Sequence, residues 1–162
     1  METGPAVDSV LREGSVPVTG SAPTNVSDSY KKMACYNLAT NQLVGYVGAG
    51  GSLNASVSIV ANKADGANVK WAPAGSDMYL EKDTDPNDRY LGVGTSSAAC
   101  WGLWTPTGWI NPIVYNPDRT ISLKEDPRRK LYGPYRLLGS DWAYWSEPGD
   151  NNQNILRFEM VE

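Results

Sequence analysis

Two kinds of residue recur in this chain at an interval of 42 to 44 positions. One series is aromatic and the other is leucine: Trp71, Tyr115 and Phe158, and Leu38, Leu80 and Leu123. Two independent series that step together predict an internal threefold repeat, and such a repeat constrains the fold more than composition does. Because equivalent positions of a symmetric fold face the same interior, all six residues are predicted to be buried.

Short apolar segments alternate along the chain with Gly, Pro, Asn, Asp and Ser, and no long segment has an apolar period of 3.6 residues. This pattern predicts an all-β protein. The length of 162 residues suits one domain. Residues 1–29 lack aromatic residues and are rich in Ser, Thr, Pro and Gly, so we predict a flexible N-terminal arm followed by a folded domain over residues 30–162.

Each repeat is predicted to hold four strands. The twelve segments, grouped by their place in the repeat, are 34–38, 78–81 and 120–124; 43–47, 90–93 and 131–135; 57–61, 100–104 and 142–146; and 69–71, 113–115 and 156–158. A glycine lies near the middle of each second strand, at Gly45, Gly92 and Gly133, where another backbone approaches closely or the strand bends.

Three repeats of four short strands resemble the β-trefoil superfamily, in which six strands close a barrel and six form hairpins that cap one end. The resemblance covers residues 30–162 and rests on spacing and patterning. It implies a β-trefoil, whose closed barrel removes the sheet edges that such short strands would otherwise expose. The alternative fold is a β-sandwich in which the periodicity is accidental.

The chain contains no histidine, which excludes Ser-His-Asp and Cys-His catalysis and histidine-ligated metals. The turn that begins at Asp83 has acidic residues, Asp83 and Asp85, at the first and third positions of a calcium-binding loop. It has Asp88 where such a loop needs glycine, and Gly94 where it needs a bidentate glutamate. We therefore predict a protein that is not an enzyme and that uses no metal and no cofactor.

The net charge is −4 and the pI is about 4.8, which argues against a nucleic-acid partner. No apolar run approaches the length of a membrane span. The prediction is a soluble protein, either cytoplasmic or secreted without a recognisable signal peptide. Its two cysteines, Cys35 and Cys100, could form a disulfide or remain free thiols.

Tryptophan and tyrosine are concentrated in two segments, 101–109 and 142–145. Strand alternation puts Trp142 and Tyr144 on one face and Trp145 on the other, so within each segment one ring can pack inward while another stays near solvent. An exposed aromatic ring beside Asp or Asn side chains can bind a sugar. The alternative is that these rings are buried core residues. The predicted carbohydrate-binding residues of the two sites are Trp104 with Asp83 and Asp85, and Trp145 with Asp150 and Asn151.

The resemblance implies three functional classes: carbohydrate-binding lectins, protease inhibitors, and actin- or receptor-binding modules. Ricin-type lectins of the superfamily carry Gln-x-Trp in the fourth strand, whereas this chain has Val69, Ile113 and Leu156 in place of the glutamine. We therefore expect a divergent lectin-like protein whose partners are glycans or glycoproteins. The alternative is a trefoil protease inhibitor or another protein-binding module, with a protease engaged by the proline-containing segment 105–111 or 83–89.

Overall fold

The computed structural model describes residues 29–49, 56–83, 89–95, 100–105, 111–135, 141–146 and 154–161. Within these ranges the protein is all-β, with twelve strands, one 3₁₀ turn at Lys63–Asp65 and no α-helix. No helix in the described ranges is long and apolar enough to cross a membrane. The predicted arm lies almost wholly outside these ranges, so it stays a prediction.

Each strand overlaps one of the twelve predicted segments. In chain order the strands are β1 (Lys32–Asn37), β2 (Leu43–Gly48), β3 (Ser58–Val60), β4 (Val69–Ala74), β5 (Asp77–Lys82), β6 (Tyr90–Thr95), β7 (Cys100–Thr105), β8 (Ile113–Tyr115), β9 (Ile121–Leu123), β10 (Leu131–Tyr135), β11 (Trp142–Trp145) and β12 (Leu156–Val161). The prediction of an all-β fold is confirmed.

The twelve strands belong to one sheet, which is nearly closed and barrel-like. Antiparallel ladders join β12 to β1, β4 to β5, β5 to β8 and β8 to β9. The residue before β1, Lys31, exchanges two backbone hydrogen bonds of 2.8 Å with Val69 of β4. The N–H of Phe158 in β12 donates to the carbonyl of Arg119 just before β9, at 2.9 Å. The short strands therefore leave little unpaired edge.

Six of the strands form three hairpins, β2–β3, β6–β7 and β10–β11. The second strands of these hairpins are β3, β7 and β11, and we call them the strand triangle. β11 pairs with β3 and with β7, and Ser56, just before β3, forms a bridge with Leu103 of β7. The N–H of Val57 donates to the carbonyl of Gly102, and the N–H of Ala143 donates to the carbonyl of Val57, both at 2.9 Å. Small side chains at 102 and 143 permit this close approach of three backbones.

The core contains most of the residues that the repeat predicted to be buried. Leu80, Leu123, Trp71 and Phe158 are buried. Tyr115 is partly buried and stacks on Trp71, with 4.5 Å between the ring centroids. Leu38, however, is 38% exposed, so the prediction for this residue is wrong.

The register explains the error. Each member of the aromatic series lies opposite one residue of the neighbouring strand: Trp71 opposite Leu80, Tyr115 opposite Ile121, and Phe158 opposite Cys35. Leu38 follows the end of β1, where the chain turns towards β2. Leu123 lies opposite Ile113, two residues before Tyr115. In β4 and β5 the residue opposite Val69, two residues before Trp71, is Lys82 and not Leu80. The leucine series therefore combined positions that are not equivalent, whereas the aromatic series is regular.

Candidate functional site

Two tryptophans of the strand triangle, Trp104 and Trp145, point into the core. Trp104 is 0% exposed and Trp145 is 1% exposed. Each indole N–H reaches a backbone carbonyl of the preceding hairpin, Trp104 that of Gly48 at 3.1 Å and Trp145 that of Gly92 at 3.2 Å. A buried indole needs such an acceptor, and here the acceptor fixes the ring in the interior.

The buried position of Trp104 is reinforced by a cation. The ammonium of Lys82 lies 5.0 Å from the centroid of the Trp104 ring and donates to the carbonyl of Ala49 at 2.8 Å. Lys82 is itself only 3% exposed, so the ring and the carbonyl take over part of the solvation that the ammonium loses. Neither Trp104 nor Trp145 therefore offers an exposed ring face to a sugar, contrary to the expectation from the sequence.

The polar residues predicted to accompany these rings are only partly described. Asp83 is exposed, and its N–H donates to the carbonyl of Asn68 at 2.8 Å. Asp85, Asp150 and Asn151 lie outside the described residues, so their predicted role stays a prediction.

The opposite face of the strand triangle carries a group of four aromatic residues, which we call the outer aromatic cluster: Trp101, Tyr132, Trp142 and Tyr144. The ring centroids are 6.3 Å apart for Trp101 and Trp142, 6.2 Å for Trp142 and Tyr144, and 6.0 Å for Tyr132 and Tyr144. Tyr144 is buried at the centre, whereas the other three rings are partly exposed. These distances are typical of aromatic pairs in contact.

Strand pairing positions the cluster. Tyr144 of β11 lies directly opposite Trp101 of β7 and opposite Tyr132 of β10. Directly opposed residues of antiparallel strands share a face, and so do residues two apart on one strand. The sheet therefore brings all four rings to the same side.

A glycine on β6 makes room for the Trp101 ring. Gly94 lies opposite Trp101, and a Cβ atom at this position would lie 2.5 Å from the indole Nε1 and Cε2 atoms. The indole ring therefore lies across the bare backbone of β6. This packing fixes the orientation of the ring while part of it stays exposed.

We expect Gly94→Ala to displace the Trp101 ring. The added methyl group overlaps the indole, so the substitution should cost about 1–3 kcal/mol of folding free energy and change the near-ultraviolet circular dichroism of tryptophan. Gly102→Ala is the comparison, because its Cβ would press on Val57 at 3.2 Å without the 2.5 Å overlap found at Gly94, so it should cost less. Equal effects of the two substitutions would contradict the close packing at Gly94.

Serine hydroxyl groups border the cluster. Ser58 of β3 lies opposite Trp142, and Ser56 pairs with Leu103 of β7. Both serines are partly exposed and lie on the same face as the rings. The face therefore combines apolar ring surface with groups that donate and accept hydrogen bonds.

The side chains of Tyr30, Glu81 and Arg89 form a second polar group, in which they hydrogen-bond to one another. Glu81 accepts hydrogen bonds from the Tyr30 hydroxyl and, at 2.8 Å, from Arg89. Burial, followed by the hydrogen bond and charge of Glu81, raises the pKa of Tyr30 to about 12. The Lys70 ammonium lies 4.8 Å from the centroid of the Tyr30 ring. This arrangement ties Tyr30, which lies just before β1, to β5.

The described residues offer little for covalent or metal chemistry. Cys35 and Cys100 are both free thiols, and burial raises the pKa of the Cys35 thiol, which keeps it protonated and unreactive. In the described ranges no group of three or more His, Cys, Asp or Glu side chains could hold a metal ion. Burial likewise raises the pKa of Tyr115, whose hydroxyl donates to the carbonyl of Phe158.

Comparison with known proteins gives no family. A scan against protein-family models and searches of curated proteins and of solved structures found no match to this chain. The functional argument therefore rests on the residues of the outer aromatic cluster and their surroundings.

Proposed function

We propose that this protein is a non-catalytic, carbohydrate-binding protein that recognises a neutral glycan at the outer aromatic cluster. The observation that carries the proposal is the pair Trp101 and Trp142, two partly exposed indole rings in contact on one sheet face, with serine hydroxyls beside them. The partners would be free glycans or glycoproteins.

The chemistry of a sugar matches this surface. A pyranose ring presents C–H groups on its faces and hydroxyl groups around its edge. Aromatic ring faces are apolar and carry partial negative charge, so they pack favourably against C–H groups. Ser56 and Ser58 can exchange hydrogen bonds with the hydroxyls at the edge. The net charge of −4 disfavours acidic sugars and nucleic acid.

For the fold we propose a β-trefoil. Support comes from the regular aromatic series, from the nearly closed sheet and from the three hairpins whose second strands meet in the strand triangle. The core contacts also follow a threefold cycle: Trp104 reaches Gly48, Trp145 reaches Gly92, and the Cδ1 atom of Ile59 lies 3.1 Å from the position of a Cβ on Gly133.

The alternative function is protease inhibition or another protein-binding role. The segments 83–89 and 105–111, which would carry it, lie mostly outside the described residues, so the described contacts lend it no support. A protease panel run beside a glycan array separates the two functions, because an inhibitor would block an enzyme without binding any glycan.

A glycan array followed by titration calorimetry tests the proposed function. We expect wild-type protein to bind at least one neutral glycan, and Trp142→Ala to lower its affinity by at least tenfold, because the main ring contact is lost. The matched control is Tyr36→Ala. Tyr36 lies on β1, outside the outer aromatic cluster, and its partly buried ring lies 4.2 Å from the Arg157 guanidinium.

The control should leave glycan affinity within twofold of wild type. Thermal unfolding of each variant shows whether it is folded at the temperature of the titration. Absence of binding to every neutral glycan, or full affinity in folded Trp142→Ala, would overturn the proposal.

A further inference from the structure

The outer aromatic cluster draws its exposed rings from two different repeats. Trp101 belongs to β7 of the second repeat, whereas Trp142 and Tyr132 belong to β11 and β10 of the third. In a protein with one independent site per repeat, the rings of different sites would be separate. Here the centroids of Trp101 and Trp142 are only 6.3 Å apart, which is contact distance.

The strand triangle causes this convergence. Val57, Gly102 and Ala143 occupy corresponding places in the three repeats, and their backbones are joined by N–H···O=C bonds of 2.9 Å from Val57 to Gly102 and from Ala143 to Val57. The residues that precede them in sequence, Ser56, Trp101 and Trp142, therefore surround one point on the outer face. Two of these three positions carry an indole and the third carries a hydroxymethyl group.

The first repeat therefore contributes differently from the other two. Ser56 occupies the position that corresponds to Trp101 and Trp142, so the first repeat supplies no third indole there, and Ser58 lies opposite Trp142. The rings of Trp101 and Trp142 are inclined at 43°, so together they form a bent apolar surface that ends at the two serines. A single ligand that lies on both rings could reach these hydroxyls.

From this geometry we propose that the protein binds one glycan per chain, at a single site shared by the second and third repeats, and that the ligand is a neutral oligosaccharide with sugar residues on both indoles. The inference rests on the proposed carbohydrate-binding function. One indole would hold one sugar residue and the other indole the next, and the first repeat would supply hydroxyl groups at the open edge. A monosaccharide would contact only one ring and bind more weakly.

The test is calorimetric titration of the full chain with neutral hexasaccharides built from glucose, mannose, galactose or N-acetylglucosamine, and with the corresponding monosaccharides. Wild type should bind one hexasaccharide per chain, at least tenfold more tightly than the monosaccharide. Trp101→Ala and Trp142→Ala should each weaken this same event by at least tenfold. The double variant should be much weaker than either single variant, because each indole holds a different sugar residue of the same ligand and both contacts are then lost.

Conservative variants protect the test against misfolding. Trp101→Phe and Trp142→Phe keep a ring at each position and should retain more affinity than the alanine variants. Two binding events per chain, with each alanine variant abolishing one of them, would overturn the shared site while leaving carbohydrate binding intact. One event unaffected by either variant would also overturn it, because the glycan would then bind elsewhere. Absence of any hexasaccharide binding would overturn the proposed function, and the shared site with it.

Discussion

Trp104→Ala should lower the free energy of unfolding by about 3–5 kcal/mol, the range for replacing a buried tryptophan by alanine. The ring is fully buried, and its removal would leave a large cavity in the core. It would also leave the carbonyl of Gly48 without the indole donor and the ammonium of Lys82 without the ring beside it. Each of these losses adds to the cost of the cavity.

The matched control is Trp101→Ala, a substitution of the same kind three residues away on the same strand. The Trp101 ring is partly exposed and packs against the bare backbone of Gly94. We therefore expect Trp101→Ala to lower the free energy of unfolding by about half as much as Trp104→Ala, or less. Urea denaturation followed by far-ultraviolet circular dichroism measures both free energies. An equal or reversed order would mean that the inward and outward faces of β7 are assigned incorrectly.

Leu123→Ala should cost about 2–5 kcal/mol, the range for a buried leucine. Leu123 is 3% exposed, lies opposite Ile113 and belongs to the main hydrophobic core. The control is Leu43→Ala, since Leu43 is 51% exposed and its truncation should change stability by less than about 0.5 kcal/mol. Similar losses for the two leucines in urea denaturation would contradict the burial of Leu123.

The positions of the strands could be predicted from sequence because alternation and turn residues are local signals. Leu38 shows where this approach failed. A leucine one residue beyond the end of a strand looks like part of the pattern, but only the pairing of Cys35 with Phe158 reveals which residue faces the interior. Register depends on contacts between distant segments, which composition and local spacing do not specify.

The sequence of the first repeat does indicate which side of its third strand faces the core. There Val57, Ser58 and Ile59 alternate between apolar and polar, and the apolar residues are buried. Ile59 corresponds to Trp104 and Trp145 in the threefold cycle of core contacts. The segments 57–61, 100–104 and 142–146, aligned at their first residues, would have predicted an inward Trp104 but also an inward Trp142. The register that matches Val57 with Gly102 and Ala143 comes from backbone hydrogen bonds between distant strands.

Contact between the outward rings could not be predicted in this way. It requires β7 and β11 to be paired with Tyr144 opposite Trp101, and these strands are about forty residues apart in sequence. It also requires the absence of a side chain at Gly94. Both conditions depend on the assembled sheet, so the sequence indicated that aromatic rings are important without indicating which of them share a surface.

The central claim is that the exposed indoles of the outer aromatic cluster, and not the buried ones, bind a glycan. The most direct measurement is an NMR titration of the tryptophan indole N–H signals with the neutral hexasaccharides, each signal being assigned by a Trp→Phe substitution. The account predicts large shifts for Trp101 and Trp142, and little change for Trp104 and Trp145, whose N–H groups are bonded to Gly48 and Gly92. Unchanged Trp101 and Trp142 signals under every hexasaccharide, or shifts confined to Trp104 and Trp145, would contradict it.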